Sequence, residues 1–435
     1  MKTCKVILTA LIFLLTAQLY SQTFQWRLLP NSPGVTGGAR FDDVYFIDSN
    51  TGWIIDYDGR VYKTTNGGNN WSLIFNSTFG NELRSVGFFD SNVGILGTLI
   101  EDTNKVLYRS TNGGSNWTPV SNITGQRPEG ICGISIVNEN IAYACGKYYG
   151  TGRIIKTTDK GNSWNSVFND TSLATGLVDC YFWSPDSGIS VGGYIDNAAV
   201  IKTTNGGASW ERVHKTIQKV EWCWKISFIS RDIGFVSIQR FSGSSYILKT
   251  TNNGLNWNEI LLGNYNQQGI GFVDENTGWV GGHTGLATYK TTNGGLQWQF
   301  AGWGIGVNRF RFLNDTLAYA VGDRVYKYSR EPVGINLISS EVPSSFQLQQ
   351  NYPNPFNPVT KIKFDVPSNV KRQTSDVRLV IYDALGKEVV TLINEKLTSG
   401  SYEIDFDGSN FSSGIYFYKL QTDKFIETKR MILLK

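Results

Sequence analysis

Histidine, cysteine and methionine are scarce in this chain of 435 residues, which has two, five and two of them. With only His214 and His283 present, neither a His-based catalytic triad nor a histidine cluster around a metal is expected. The cysteines show no CxxC spacing, which argues against a zinc site. Basic and acidic residues nearly balance at a formal net charge of +4, so the chain has no general attraction for nucleic acid. We therefore expect no metal, no cofactor and no nucleic-acid partner.

Long apolar runs are also missing, apart from one at the N-terminus. Residues 1–21 have the pattern of a secretory signal peptide, in which Lys2 and Lys5 precede an apolar stretch from Val6 to Ala17, and cleavage would follow Ser21. That stretch is too short to be a transmembrane helix. Its removal takes two lysines and no acid, which lowers the net charge from +4 to +2. We predict an exported chain without a transmembrane segment.

Tryptophan, in contrast, is abundant and periodic. Seven tryptophans recur at intervals of 45, 46, 47, 46, 47 and 41 residues: Trp26, Trp71, Trp117, Trp164, Trp210, Trp257 and Trp298. The last six each close an eight-residue phrase, the first of which is TTNGGNNW (Thr64 to Trp71). The third residue of each phrase carries a side-chain acceptor: Asn66, Asn112, Asp159, Asn205, Asn252 and Asn293. A repeat of this length indicates one small sheet per unit, stacked around an axis.

The phrase itself has the composition of a tight turn. The Asn or Asp can accept hydrogen bonds from backbone N–H groups further along, and the Gly at the fifth position can adopt a positive φ. Three short apolar strands precede each phrase and one follows, which is the strand count of a propeller blade. Five of the six third residues are Asn, whereas hard cations prefer carboxylates. We therefore interpret these residues as structural rather than as metal ligands.

Two unmatched fragments predict how the ring closes. Residues 310–329 supply three strands with no turn phrase and no fourth strand, and Phe24 to Pro30 reads as a fourth strand with no blade before it. If the two fragments pair, residues 22–330 form a seven-bladed ring without an exposed inner edge. The predicted fold is therefore an all-β, seven-bladed β-propeller followed by a small β-sandwich.

The turn phrases resemble the Asp-box, or BNR repeat, over residues 23–330. The KTTNGG form of the phrase, together with the count of seven units, is most similar to propellers of the photosystem II stability and assembly factor type. That resemblance implies a secreted or assembly-related propeller. Asp-boxes also occur in sialidases, xyloglucanases and sortilin-like receptors, where they lie in turns remote from the ligand site.

Four cysteines remain after the predicted signal peptide: Cys132, Cys145, Cys180 and Cys223. They do not repeat in phase with the blades, so we interpret them as small core hydrophobes rather than as a disulfide framework. Cys132 and Cys145 fall in the same blade, and they are the one pair that merits a test for a disulfide.

The composition changes after the propeller. Residues 331–345 lose the repeat and are predicted to be a linker. Beyond them, residues 346–435 begin with a proline-rich segment and continue in runs of alternating apolar and polar residues, which predicts a β-sandwich.

This last segment closely resembles the type A C-terminal sorting domain of type IX secretion cargo. The matching pieces are NYPNPFNP, IYDALGKEV, SGSYEIDFDGS, SGIYFYKL and TKRMILLK. The resemblance implies recognition by the outer-membrane translocon, removal by a sortase-like peptidase, and delivery to the cell surface or the medium. The sorting-signal residues carried over from the motifs are Gly386, Gly400, Tyr402, Gly414, Tyr416, Lys429 and Lys435.

Propeller ligands collect where the channel opens, on loops that lead into the innermost strands or join the second and third strands. In five of the seven predicted blades these loops carry a cation near the mouth. We predict a ligand site formed by Arg40, Arg84, Arg127, Trp222, Trp224, Lys225, His283 and Arg309. Cations beside aromatic faces suit an acidic, glycan or protein partner. The alternative is that exposed loops simply hold Arg and Lys.

An enzyme would also need catalytic residues at the channel mouth. A sialidase needs three arginines on one carboxylate, a tyrosine activated by a glutamate, and an acid, and a xyloglucanase needs two opposed carboxylates. Nothing in the sequence spacing of the candidate acids, such as Asp42, Asp179 and Glu221, indicates that any two of them form a catalytic pair. We therefore predict an exported, non-catalytic binding or scaffolding propeller. A sialidase- or xyloglucanase-like hydrolase acting at the channel mouth is the alternative.

Overall fold

The computed structural model describes residues 24–35, 40–77, 82–100, 102–193, 196–240, 244–329, 335–368, 374–408 and 411–435. Within these ranges the chain forms strands, turns and connecting segments, and no helix. The predicted all-β class is confirmed. The signal peptide predicted for residues 1–21 lies outside the described residues.

Seven sheets follow one another along residues 25–329, after a first strand, β1 (Gln25–Leu28). Sheet 1 contains β2 (Phe41–Phe46), β3 (Gly52–Asp56), β4 (Arg60–Thr64) and β5 (Ser72–Asn76). Sheet 2 contains β6 (Leu83–Phe88), β7 (Gly94–Thr98), β8 (Leu107–Ser110) and β9 (Thr118–Pro119). Sheet 3 contains β10 (Ile123–Thr124), β11 (Gly133–Ile136), β12 (Ala142–Gly146), β13 (Arg153–Thr157) and β14 (Trp164–Phe168).

The remaining sheets repeat this arrangement. Sheet 4 contains β15 (Asp179–Phe182), β16 (Gly188–Gly192), β17 (Asn197–Thr203) and β18 (Glu211–Lys219). Sheet 5 contains β19 (Glu221–Phe228), β20 (Gly234–Arg240), β21 (Ser245–Thr250) and β22 (Asn258–Gly263). Sheet 6 contains β23 (Gln267–Phe272), β24 (Gly278–Gly282), β25 (Ala287–Thr291) and β26 (Gln299–Ile305). Sheet 7 contains β27 (Arg309–Asn314), β28 (Leu317–Val321), β29 (Val325–Ser329) and β1.

The first strand of each sheet lies innermost. These strands contact one another in the order β2, β6, β11, β15, β19, β23 and β27, and β27 contacts β2, which closes the ring. Strands β6 and β23 are buried at every position, whereas the outer strands β9 and β18 are largely exposed. The innermost strands are largely buried because they pack against neighbouring sheets, and several of them bury charged side chains at their starts.

The N-terminal strand completes sheet 7, as the two unmatched fragments predict. Strand β1 pairs antiparallel with β29, so that Trp26 lies opposite Tyr328. The Trp26 ring stacks on Trp303 with centroids 4.9 Å apart, and its side chain is buried with that of Leu29. The first and last strands of the propeller are therefore held together by backbone hydrogen bonds and by an aromatic cluster.

Stacked aromatic rings join neighbouring sheets, a feature that the sequence analysis does not predict. Trp53 of sheet 1 stacks on Phe88 of sheet 2 with centroids 3.6 Å apart. Phe88 lies over Gly94, its partner across the strands, where an added Cβ would come within 2.5 Å of the ring. Stacks of the same kind, 3.4–3.6 Å apart, join three further pairs of sheets. Ring stacking thus repeats between blades as the turn phrase repeats within them.

The C-terminal residues form two further sheets around a core of their own. One contains β30 (Ile335–Ser339), β31 (Gln347–Leu348), β32 (Val359–Val366) and β35 (Gly400–Asp407), and the other contains β33 (Thr374–Asp383), β34 (Glu388–Thr398), β36 (Gly414–Gln421) and β37 (Ile426–Leu433).

The predicted linker needs a correction. Residues 335–339, which the sequence analysis assigns to it, form β30 and pair with β35 in register Ile335↔Ile404. Ile335 is buried in the C-terminal core, which explains why these residues are ordered as a strand. The linker prediction is therefore wrong for these five residues, and residues 331–334 lie outside the described residues.

Candidate ligand site at one end of the channel

The six turn phrases lie between the third and fourth strands and share one hydrogen-bond pattern. In the first, the N–H of Asn70 donates to Asn66 Oδ1 at 2.9 Å, and the N–H of Gly68 donates to Thr64 Oγ1 at 3.0 Å. The other five phrases repeat both bonds at 2.9 or 3.0 Å. The Gly at the fifth position has a φ between 71° and 94° in all six. The third-position side chains therefore serve the turn itself.

Cations at the ends of several third strands, on the turn-phrase side, link neighbouring sheets. Lys327 Nζ donates to the carbonyl of Gly67 at 3.2 Å, and Lys202 Nζ donates to that of Asn253 at 2.6 Å. Lys327 also lies over the Tyr319 ring, 5.6 Å from its centroid. These cations have structural partners on the turn face, so they do not form a free basic belt.

The opposite end of the channel holds a pocket of about 410 Å³. Five sheets contribute to its wall, and the contributed side chains differ from sheet to sheet. Its lining consists of Arg40, Tyr57, Arg84, Leu99, Tyr148, Trp222, Trp224, Gln239, Gln268, His283 and Thr284. Five residues predicted for the site therefore lie here together: Arg40, Arg84, Trp222, Trp224 and His283.

Two guanidinium groups share a single carboxylate oxygen in this pocket. Asp42 Oδ1 accepts from Arg40 Nε at 3.0 Å and from Arg84 Nη1 at 2.5 Å. Arg40 also donates to Gln268 Oε1 at 2.5 Å. Asp42 is fully buried, and it follows Arg40 closely at the start of β2, whereas Arg84 comes from β6 of the next sheet. One buried carboxylate thus balances two cations.

Aromatic rings enclose the Arg84 side of the pocket. The guanidinium of Arg84 lies 5.9 Å from the ring centroid of Tyr148 and 5.7 Å from that of Trp224. Trp222 stacks on Trp224 with centroids 6.2 Å apart. Trp224 donates its indole N–H to Gln239. The walls therefore offer apolar ring surface beside a cation.

Two ionisable side chains of the pocket lining have shifted pKa values. Partial burial lowers the pKa of His283, and the positive charges of Arg40 and Arg84 lower it further. Burial and the neighbouring carboxylate of Glu82 raise the pKa of Tyr57 to about 12. A ligand would therefore place an anionic group near the arginines and a hydrogen-bond donor near Glu82.

Two predicted site residues lie beneath the pocket rather than in its lining. Arg309 donates to both carboxylate oxygens of Asp179, at 2.8 and 3.2 Å, and pairs with Asp43 at 3.0 Å. Burial alone would raise the pKa of Asp179, but Arg309 and then Lys225 bring it below its ordinary value. Arg309 is therefore not part of the pocket lining with the other predicted site residues, and its charge is paired with Asp179 and Asp43.

Lys225 is only 1% exposed. Its Nζ has no hydrogen-bond partner among the described residues. Burial, followed by the charge of Arg309, lowers the pKa of Lys225 to about 7. Lys225 therefore does not supply an exposed cation at the mouth, contrary to the prediction.

Arg127 also departs from the prediction. It is partly buried and donates to the backbone carbonyl of Ser121, in the segment beside β10. It is not part of the pocket lining. A loop between sheets can fold back on its own sheet, and the sequence carries no signal for that choice.

Five further residues line the pocket although they are not among the residues predicted for the site: Tyr57, Leu99, Gln239, Gln268 and Thr284. Tyr57 lies between β3 and β4, and Thr284 lies between β24 and β25, which are loops of the class expected at the mouth. A position-by-position alignment of those loops could have found both. Gln239 lies inside β20, where side-chain direction depends on twist and register.

The sorting-signal residues lie in a separate region. Gly386, with a φ of 79°, closes the turn between β33 and β34, and Gly400 and Gly414 begin β35 and β36. Tyr402 donates its hydroxyl to the carbonyl of Thr398 at 2.8 Å, and that of Tyr416 donates to the carbonyl of Ser412 at 2.8 Å. Lys429 pairs with Glu427 at 3.0 Å, and the N–H of Lys435 donates to Ser413 Oγ at 3.0 Å. Most of these residues therefore have structural roles in turns and strand ends.

Within the described ranges, no group of three or more His, Cys, Asp or Glu side chains is arranged to hold a metal ion. In the same ranges the fold contains no apolar helix of membrane-spanning length. The hydrolase alternative needs carboxylates that face a ligand, and the described lining of the pocket includes neither Asp nor Glu.

Two stretches of the chain match known families. Residues 34–176 match the photosynthesis system II assembly factor YCF48 family, and residues 350–434 match the secretion system C-terminal sorting domain. No curated protein sequence matches the chain.

Similar solved structures agree with these matches. A structure described as YCF48 bound to D1 peptide has a TM-score of 0.52 and 17% identity, over 70% of this chain and 96% of that chain. YCF48 from Cyanidioschyzon merolae has a TM-score of 0.52 and 18% identity, over 71% of this chain and 99% of that chain. At such identities the likeness shows the fold. The C-terminal match indicates export by type IX secretion to the cell surface or the extracellular space. The chain therefore joins a YCF48-like β-propeller to a C-terminal sorting domain of type IX secretion.

Proposed function

We propose that this protein is an exported binding or scaffolding propeller that holds an anionic partner at the pocket of Arg40 and Arg84. The observation that carries the proposal is the pair of guanidinium groups on one oxygen of Asp42. One carboxylate cannot saturate the donors of two arginines, so they retain hydrogen-bonding capacity toward a ligand anion.

The partner has both charge and apolar surface. Tyr148 and the two tryptophans offer ring faces beside Arg84, and the carboxylate of Glu82 lies near Tyr57. A peptide with an acidic group and an aromatic or aliphatic side chain fits this combination. The YCF48 structure described with a D1 peptide supports a peptide as the partner class. A glycan with a carboxylate is the competing partner.

Binding is tested with peptide and glycan panels in which each anionic member has a neutral counterpart. Arg40→Gln removes the charge but keeps donors toward Asp42, and we expect it to weaken binding of the best anionic hit at least about tenfold. Arg231→Gln removes an exposed arginine from the opposite, turn-phrase side and is the matched control. Equal binding of charged and neutral members, or equal losses in both variants, would contradict the proposal.

Export is the second part of the proposal. We propose that residues 1–21 direct the chain across the inner membrane, and that the translocon recognises residues 346–435 before a sortase-like peptidase removes them. The mature propeller then remains on the surface or enters the medium. Deleting residues 346–435 should leave a folded propeller in the periplasm, as measured by cell fractionation. Delivery of that deletion variant to the cell surface would argue against residues 346–435 as the sorting signal.

A sialidase-like hydrolase is a second candidate, and one contact favours it. The carboxylate of Glu82 neighbours Tyr57, which lines the same pocket as Arg40 and Arg84, and a sialidase uses this combination of residue types. A fluorogenic sialoside would test this candidate, with Tyr57→Phe as the inactive variant. Absence of hydrolysis by the wild-type protein, with anion binding retained, would leave the binding role alone.

A further inference from the structure

Two cysteines from neighbouring sheets meet in the propeller core. Cys145 lies in β12 of sheet 3, and Cys180 lies in β15 of sheet 4, which packs against it. Cys180 Sγ lies 3.9 Å from the carbonyl oxygens of both Gly133 and Tyr143. Gly133 is the partner of Cys145 across the strands, and Tyr143 precedes Cys145 by two positions on the same face. Cys180 therefore reaches the face of sheet 3 that presents Cys145.

Cys145 and Cys180 are both free and buried, and the neighbouring Cys180 thiol adds to the effect of burial in raising the pKa of Cys145. Both side chains belong to the same buried cluster. The close approach depends on Gly133, because a Cβ there would come within 2.8 Å of the Cα of Asp179. A larger residue at this position would push the two sheets, and hence the two sulfur atoms, apart.

The other two cysteines belong to different clusters. Cys132 neighbours Gly133 and so points to the opposite face of sheet 3 from Cys145, where it packs with Trp222 and Trp224. Cys223 packs in the cluster between sheets 4 and 5. The pair singled out from the sequence, Cys132 with Cys145, is therefore joined by a backbone hydrogen bond of 2.8 Å but lies on opposite faces of one sheet.

We propose that Cys145 and Cys180 form a disulfide bond that joins sheets 3 and 4 in the exported protein. The sorting domain indicates that the chain leaves the cytoplasm, and disulfides form and persist in such oxidising compartments. The proposal therefore rests on export and is independent of the ligand at the pocket.

The oxidant is a disulfide-bearing thiol oxidoreductase of the periplasm. One cysteine thiolate attacks the oxidant disulfide and forms a mixed disulfide, and the second cysteine thiolate then displaces the oxidant sulfur. Two protein thiols are oxidised to one disulfide, while the oxidant gains two electrons and the two protons as two thiols. Burial raises the pKa of the Cys145 thiol well above its usual value, so the exchange takes place before sheets 3 and 4 close on each other.

The test is thiol mapping of the full exported chain. The protein is collected from the periplasm or the medium, unfolded in denaturant without reductant, and alkylated with iodoacetamide before peptide mass spectrometry. We expect alkylation of Cys132 and Cys223 and a linked peptide pair that contains Cys145 and Cys180. Treatment with dithiothreitol first should make all four cysteines react.

Two variants make the result specific. Cys145→Ser should leave Cys180 alkylated, and Cys223→Ser, the matched control, should leave the linked pair intact. Because the mapping is done on unfolded protein, it works even if a variant is unstable. Full alkylation of all four cysteines without reductant, or a linkage of Cys132 to Cys145, would overturn the proposal.

Discussion

The two ends of the propeller are built by different rules. On the turn-phrase side, six sheets use the same two hydrogen bonds at 2.9 or 3.0 Å, and each bond joins residues four positions apart. At the channel mouth, the groups that meet come from five sheets. The repeated side therefore forms a scaffold, whereas the side without repetition can hold a specific partner.

Charge is also handled differently at the two ends. Cations on the turn side bind backbone carbonyls of the next sheet, as Lys327 does with Gly67. Beneath the mouth, Arg309, Asp179 and Asp43 form a buried ionic cluster, and Lys225 lies nearby without a hydrogen-bond partner among the described residues. Substitutions on the turn side should therefore have small and similar costs, and those beneath the mouth should have large and individual ones.

Deleting residues 22–30 should have the largest effect, because it removes β1 and breaks the ring that supports both ends. The deletion loses Trp26 and Leu29, both buried, and exposes the edge of β29. We expect it to cost well over the ~3–5 kcal/mol of a single buried Trp→Ala change. Urea unfolding, compared with Trp257→Ala in sheet 5, measures the difference. Equal losses would mean that the ring closes in another way.

Breaking the buried cluster comes next. Arg309→Gln leaves Asp179 and Asp43 without their main cation, which should cost about 3–5 kcal/mol in the free energy of unfolding. The matched change on the turn side is Lys160→Gln, since Lys160 pairs with Asp90 at 3.1 Å in an exposed setting. An exposed pair contributes up to ~1 kcal/mol. Similar losses in the two variants would show that the ends do not differ in this way.

The pH dependence of stability tests Lys225. Its pKa is about 7 in the folded protein, and an unfolded lysine titrates near ~10.4. Below pH 7 Lys225 is protonated in both the folded and the unfolded state, so the full cost of burying its charge lowers the free energy of unfolding. Between those values the unfolded chain binds one more proton, so stability should rise with pH by up to ~1.4 kcal/mol per unit.

The Lys225→Met variant has no ionisable group at this position, and the unbranched methionine side chain is similar in length to that of lysine. Wild-type stability should therefore approach that of Lys225→Met as the pH rises from 7 to 10, as measured by urea unfolding at each pH. Parallel curves for the two proteins would contradict the buried-lysine assignment.

The smallest effect is expected in a single turn phrase. Asn66→Ala removes the acceptor for the N–H of Asn70 and should cost ~1 kcal/mol, whereas Asn66→Asp keeps the acceptor and should cost little. The same two changes at Asn112 should give the same values, because the bond length there is also 2.9 Å. Thermal unfolding of the four variants measures this. A clear difference between the two blades would show that the repeated turns are not equivalent.

The interval between tryptophans predicts one small sheet per repeat. The positive φ of Gly68 and of its five counterparts follows from the turn phrase alone. The pairing of β1 with β29 could also be predicted, since two incomplete fragments need each other. These features depend on neighbours in sequence or on the completion of a repeat. The sorting domain is predictable for a similar reason, because its motifs are contiguous.

The tertiary structure alone decides what the arginines do. Arg40, Arg84 and Arg309 all lie near the starts of innermost strands, yet the first two line the pocket and the third does not. The outcome depends on which carboxylate the ring brings to each arginine, since Asp42 of sheet 1 pairs with Arg40 and Arg84, whereas Asp179 of sheet 4 pairs with Arg309. The meeting of Cys145 with Cys180 has the same origin, because Gly133 allows two sheets to approach. Local pattern thus determined the ring and its turns, whereas contacts between sheets determined which charges and thiols are free to act.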